Sequence, residues 1–255
     1  MIDKKLAIVL YTSTKGHFDY KDCYKHTVAR LQEQFSLFSF FYKIAHIKVS
    51  EGEEDLADEM ESYLKVHGFN VLKTQGNWKH DCNNNSHAKE YYKDMLTALS
   101  DKKLHEFPYV MCIEDDWLLS FPNQSGEHWC RKGVDLLDQN FDKLCIRINN
   151  KKDTCLDEAS SVKDEDIYMQ NLGYTPWGPT YTFQPTIVRT KEWYHSVRLI
   201  NNNSEILDSQ HCEIVSGKTL KNFTDDLCPF LFFNPNKVHA EHIGEESWLN
   251  KQKKI

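Results

Sequence analysis

Tyr109-Val110-Met111-Cys112-Ile113-Glu114-Asp115-Asp116-Trp117 is the stretch on which the fold turns. Its apolar run, Tyr109 to Ile113, is uninterrupted and bounded by Pro108 and by charge, which predicts a short buried strand. Three carboxylates follow without a break. Adjacent acids at the end of such a strand repel one another unless cations, hydrogen-bond donors or water receive them. A divalent metal carrying a diphosphate meets that need, and open α/β sheets gather ligands at the carboxyl ends of their strands. A solvated acidic turn is the simpler alternative.

Working outward, the preceding residues alternate strand and helix. Leu6 to Tyr11 is an apolar strand and Thr12 to Gly16 a loop. Asp22 to Phe35 reads as a helix, with Cys23, His26, Thr27 and Leu31 on its stripe. Lys43 to Val49 alternates Ile44, His46 and Lys48 against Ala45, Ile47 and Val49, a second strand. Glu53 to His67 is a helix stopped by Gly68, and Phe69 to Leu72 a third strand. Ser86 to Leu99 is a helix opened by a serine cap. This order predicts a mostly parallel sheet with helices on both faces. The second half is less regular. It offers helices over His128 to Phe141, Thr190 to Ile200 and Ser209 to Lys221, and strands over Lys143 to Ile148 and Tyr181 to Val188, the latter broken by Pro185. Asp153 to Asp166 has no apolar stripe and reads as a loop.

Bulk composition removes several classes. With 31 basic against 38 acidic residues and no long basic block, nucleic acid is not an expected partner. No stretch approaches the ~18 apolar residues of a transmembrane segment. Met1 to Lys5 runs straight into the first strand without a signal-peptide pattern, so a cytoplasmic location is expected. None of the eight cysteines forms a CxxC pair, which argues against a zinc ribbon and, in a cytosol, for reduced thiols.

In this ordered set the chain resembles a GT-A type nucleotide-sugar glycosyltransferase, with a family 2-like N-terminal half. Val9-Leu10-Tyr11-Thr12-Ser13 looks like the first strand and donor loop of that family. Val49-Ser50-Glu51-Gly52-Glu53-Glu54-Asp55 is similar to its V-D-D-G-S-x-D signature, with Ser50 and Glu51 in place of two aspartates. Glu114-Asp115-Asp116 looks like the DxD motif, and His242, within His239-Ala240-Glu241-His242-Ile243-Gly244, like the late histidine that completes the metal site. The resemblance implies a GT-A fold: a Rossmann-like, mostly parallel twisted sheet flanked by helices. One domain would span residues 1–255, its donor half over 1–120 and a less regular acceptor half over 121–255. It implies a nucleotide-sugar donor and a glycan or glycosylated acceptor.

It also assigns roles. Asp116 is the expected ligand of Mn2+ or Mg2+, with His242 beside it. Glu114 and Asp115 would take ribose or sugar hydroxyls; joint ligation by Glu114 and Asp116, which a strand pleat would put on one face, is the alternative. Tyr11, Thr12, Ser13 and Glu51 would line the nucleotide crevice, where a carboxylate accepts from the imide of uracil or, less favoured, an amine of guanine. Trp117 and Trp177 could stack on sugar faces or anchor the core, and so could Trp193. For an inverting reaction Glu213, in Gln210-His211-Cys212-Glu213, is the candidate base and Asp208 its rival. A sugar-phosphate nucleotidyltransferase would share the sheet and the acids. Thr12 to Gly16, however, has one glycine and no G-x-G. A non-catalytic carbohydrate-binding protein is the third reading.

Overall fold

The computed structural model describes residues 2–14, 22–76, 86–148, 166–171, 174–175, 178–179, 185–202, 229–234 and 236–243. Its first half follows the expected alternation. Strand β1 (Leu6–Ser13) leads to helix α1 (Cys23–Gln34), β2 (Lys43–Val49), α2 (Glu54–Val66), β3 (Asn70–Gln75), α3 (Ser86–Leu99) and β4 (Tyr109–Glu114). The chain continues through β5 (Trp117–Ser120), α4 (Gly126–Gln139), β6 (Cys145–Arg147), β7 (Ile167–Asn171), β8 (Tyr174–Thr175), β9 (Gly178–Pro179) and β10 (Thr186–Arg189). Helix α5 (Thr190–Asn202), β11 (Pro229–Phe233) and β12 (His239–His242) complete the described elements.

The main sheet has the order β3-β2-β1-β4-β10-β6-β11-β7. Its first four strands are parallel. Strand β10 then runs antiparallel to both β4 and β6, β11 is parallel to β6, and β7 is antiparallel to β11. The architecture is α/β with a parallel first half, as the sequence predicts, and a mixed second half.

Burial explains the strand sequences. Every residue of β1 and β2 is buried, because helices cover both faces of the sheet. Leu6, Ile8, Leu10, Ala45 and Ile47 share a core layer with Tyr24, Val28 and Leu31 of α1 and Met60 and Leu64 of α2. Ala7, Val9, Tyr11 and Ile44 face the other way, with Tyr91, Tyr92 and Met95 of α3 and Trp193 and Val197 of α5. Strand β3 forms the sheet edge and alternates between exposed and half-buried. Gly68 ends α2 at φ 79°, a left-handed conformation that glycine adopts without a Cβ penalty, and its N–H donates to Lys65 O.

The boundaries differ from expectation in instructive places. Helix α4 starts at Gly126, because Ser125 caps it by accepting from His128 N, and it stops at Gln139, leaving Phe141 84% exposed. Strand β10 begins after Pro185, which cannot donate to the ladder. Strands β5 and β12 form a separate antiparallel pair that the sequence does not announce. The expected helix over 209–221 and most of the expected loop over 153–166 lie outside the described residues. Cys23, Cys112, Cys130 and Cys145 are buried free thiols. Among the described residues no helix is long and apolar enough to cross a membrane.

Candidate active site

The acids at the end of β4 do not stand side by side. They fan in three directions, and a different element meets each one. Glu114 lies on the α3 face of the sheet, in register with Tyr11 of β1, and accepts from the Tyr91 hydroxyl at 2.5 Å. Asp115 turns to the α1 side, where the Thr12 hydroxyl donates to Oδ2 and where Thr27 of α1 donates to its backbone carbonyl at 2.6 Å. Asp116 faces β12: its Oδ2 lies 2.8 Å from His242 Nε2, and its carbonyl accepts from Ile243 N at 2.9 Å.

The local backbone makes this possible. The β4 ladder ends at Glu114, and the chain turns through Asp115 and Asp116 before β5 begins at Trp117. Asp115 N donates to Tyr11 O at 3.0 Å, which pins the turn to β1. Thr27 also reaches Trp117 O at 3.2 Å, so one hydroxyl clasps both sides of the turn. The β5–β12 ladder places His242 opposite Trp117, with the two rings 4.6 Å apart. Trp117 is 6% exposed, a wall of the site packed on the imidazole.

Burial and mutual repulsion shape the acids at the end of β4. Burial, and then the charge of Asp116, push Asp115 up to about 7, although the Thr12 hydroxyl pulls the other way. Cys23, at the start of α1, is pushed up to about 12 by burial and by the charges of Asp115 and Asp116. Burial and neighbouring negative charge thus disfavour the charged forms of Asp115 and Cys23 in this small region.

The neighbouring strand ends are tied together. Thr14 N donates to Lys48 O at 3.0 Å, and Ser50 N donates to the Thr14 hydroxyl at 2.9 Å. Glu51 follows in an exposed turn. Beneath α3, the Lys48 ammonium meets Glu90 at 2.8 Å and Asp94 at 3.1 Å. Asp94 also accepts from Thr74 at 2.8 Å, beside His46.

The sequence-predicted residues therefore divide. Asp116 and His242 meet. Thr12 and Asp115 meet, and Trp117 joins His242. Ser13 is buried at the end of β1. Tyr11 reaches the site through its backbone carbonyl, while its side chain lies in the core against Tyr91, with its hydroxyl toward Cys112. Trp193, on α5, is fully buried in the core layer that α5 shares with the sheet. Glu213, Asp208 and Trp177 lie outside the described residues. Thr27 and Tyr91 were not foreseen. Thr27 carried one signal, a hydroxyl inside an apolar helical stripe; Tyr91 carried none.

Solved structures overlap the chain over most of its length. The 4-diphosphocytidyl-2C-methyl-D-erythritol synthase of Anaerococcus prevotii is 14% identical over 95% of this chain and 90% of that chain, with a TM-score of 0.47. The mannosyltransferase Ktr4p of S. cerevisiae is 13% identical over 94% of this chain and 71% of that chain, with a TM-score of 0.45. Mouse xyloside xylosyltransferase 1 is 8% identical over 89% of this chain and 84% of that chain, with a TM-score of 0.43. At these identities and scores, functional meaning rests on the side chains of the site. No protein-family model and no curated protein sequence matches the chain.

Proposed function

We propose that the chain is a metal-dependent glycosyltransferase that moves a sugar from a nucleoside-diphosphate sugar, UDP before GDP, to a hydroxyl of a glycan or glycosylated acceptor. The observation that carries this reading is the meeting of Asp116 with His242 at the carboxyl end of β4, beside the bound-together ends of β1 and β2.

The donor set fits one kind of ion. Among the described residues no group of three or more His, Cys, Asp or Glu could hold a metal by itself. The Asp116–His242 pair suits an ion bound through one or two protein groups plus substrate phosphates, the habit of magnesium and its manganese counterpart. The 2.8 Å between Nε2 and Oδ2 is close to the separation of about 3 Å expected for neighbouring ligands on an ion of that size. Asp116 and His242 would hold Mn2+ or Mg2+, and such an ion supplies Lewis-acid neutralisation of the diphosphate leaving group.

The chain's own residues do the rest. Thr12 and Thr27 hold the turn in place, so Asp116 needs no reorganisation when donor arrives. Glu114 and Asp115 offer carboxylate oxygens for donor hydroxyls. Ser13, the Tyr11 carbonyl and Glu51 border the nucleotide crevice, with Glu51 placed to accept from a base N–H. Trp117 gives the site an apolar wall that keeps water off the imidazole. Glu213 would remove the acceptor proton if the reaction inverts.

A hydrolysis screen over UDP- and GDP-sugars, with and without manganese, tests the reading without an acceptor. Manganese-dependent release of free sugar and nucleoside diphosphate from one donor supports it. Pyrophosphate release from a nucleoside triphosphate and a sugar phosphate would instead establish a nucleotidyltransferase. Thermal stabilisation by free glycans alone would establish a binding protein.

A further inference from the structure

His242 faces Asp116 only while β12 keeps its register on β5. Side chains alternate along a strand, so a slip of one residue would put Glu241 or Ile243 in the place of the imidazole. The strand itself specifies that register weakly. It has four residues, of which only Ala240 is buried.

Asp166 supplies a fastening from outside the ladder. It stands just before β7, beside the end of β11, because the two strands run antiparallel and Ile167 pairs with Phe233. Its carbonyl accepts from Asn234 N at 2.9 Å. Its carboxylate takes one lysine on each oxygen: Lys237 Nζ at 2.7 Å on Oδ1, and Lys132 Nζ on Oδ2. Lys132, and then Lys237, hold that carboxyl below its usual range, so it is charged at neutral pH.

The two lysines belong to different bodies. Lys237 lies two residues before β12, in a connection folded on Asn234. Asn234 is 3% exposed; its carbonyl accepts from Lys237 N and Val238 N, both at 2.8 Å, and its side-chain oxygen from Asn236 N at 3.0 Å. Lys132 is on α4, which lies so close to β11 that a Cβ on Gly133 would stand 3.0 Å from the Phe233 ring. The Lys132 ammonium also covers the Trp129 ring at 5.6 Å. Asp166 thus ties the approach to β12 both to α4 and to the β7–β11 ladder.

We propose, resting on the metal pair inferred above, that Asp166 is a positioning residue: it fixes the entry and register of β12 and thereby the place of His242 over Asp116. Asp166 touches neither metal nor substrate in this arrangement. The three side chains of the clamp are 29–42% exposed, so its ion pairs stabilise the fold little. What they decide is which residue of β12 the ladder presents to Asp116.

The test uses the full chain and two variants that change charge in opposite senses. Asp166→Asn removes a negative charge and Lys237→Met a positive one. A field effect on the metal alone would weaken manganese binding in the first and strengthen it in the second. Loss of register weakens it in both, by roughly two- to fivefold in calorimetry with manganese and UDP, the scale of a partly exposed ion pair. Neither substitution should matter in a His242→Ala background, because the ligand that the clamp positions is gone. In metal-free protein, the NMR signals of the His242 imidazole, assigned by their absence from His242→Ala, should shift in both variants. Unchanged affinity, opposite changes in the two variants, equal losses with and without His242, or unshifted imidazole signals overturn the inference and leave Asp166 as a surface ion pair. Should Asp166→Asn fold poorly, Lys237→Met breaks the same tie from its other end and is judged by its affinity loss, the His242→Ala background and the imidazole signals. Wild-type protein that fails to bind manganese and UDP overturns the metal site, while the metal-free imidazole signals still judge the clamp.

Discussion

His242 and Asp116 lie 126 positions apart in the chain, and Nε2 of one stands 2.8 Å from Oδ2 of the other. The β5–β12 ladder produces this meeting. By pairing His242 with Trp117, it brings the end of β12 back to the turn that follows β4. The contact survives because Asp116 is 1% exposed on its side chain and His242 18%, so water competes weakly for either partner.

Asp116→Asn should keep the fold, since the amide still accepts a hydrogen bond from His242. It should reduce manganese-dependent nucleotide binding by at least the roughly 10–100-fold that loss of a supporting partner alone costs. Calorimetry with UDP, with and without manganese, is the measurement. Unchanged metal-dependent affinity would remove Asp116 from the metal site.

His242→Ala should weaken metal binding less than Asp116→Asn, because a neutral imidazole brings no opposing charge. It should also flatten the loss of affinity on mild acidification, since a protonated imidazole cannot ligate. Titrations at about pH 5.5 and about pH 7.5 decide it. Wild-type affinity in the variant at both values would show that His242 merely packs on Trp117.

The first half of the fold was legible because each element carried its own signal. Leu6 to Leu10 and Tyr109 to Ile113 are apolar runs buried on both faces, and Gly68 sits where a left-handed residue ends a helix. Strand β12 carried no such signal. Of His239, Ala240, Glu241 and His242 only Ala240 is buried and apolar, and the segment is a strand solely because β5 pairs with it. The acids were legible as a cluster, and His242 as the neighbour of Asp116, but the hydroxyls of Thr27 and Tyr91 that meet Asp115 and Glu114 were not. Thr12, Thr27 and Tyr91 come from elements 103, 88 and 23 positions away from the acids they hold. Lys48 and His46 also illustrate the limit. Their alternation with apolar residues is compatible with a solvent-facing side, yet both are buried, because α3 delivers Asp94 to them.

His46 makes the chain's stability sensitive to acid. Burial lowers its pKa from 6.5 to about 4, outweighing the pull of Asp94, and Lys48 adds to the lowering. The folded pKa is below the unfolded one. The unfolded chain therefore takes up the proton first as pH falls, and stability is lost from pH 6.5 down to about 4, with no contribution above that window. The full loss is on the order of 3 kcal/mol. Urea unfolding across this window should show a shallower acid slope for His46→Gln than for wild type. Identical slopes would place the acid sensitivity elsewhere.

Thr27 is the residue whose role is easiest to isolate. Its hydroxyl donates to Asp115 O at 2.6 Å and lies 3.2 Å from Trp117 O, while its methyl group packs within α1's buried stripe. Two substitutions separate these contributions. Thr27→Val keeps the shape and removes the donor, leaving the turn that carries Asp116 without its clasp and two carbonyls short of a partner. The expected cost is about 1–3 kcal/mol of stability, the usual penalty for stripping a buried acceptor. Thr27→Ser keeps the hydroxyl and loses the methyl group, which should cost about 1 kcal/mol of packing. Stability alone therefore separates the two poorly, and manganese affinity is the informative readout. If the clasp positions the metal site, Thr27→Val should bind manganese and UDP several-fold more weakly, while Thr27→Ser matches wild type. Equal metal affinity in all three proteins would show that the turn holds its shape through Asp115 N to Tyr11 O and Ile243 N to Asp116 O alone.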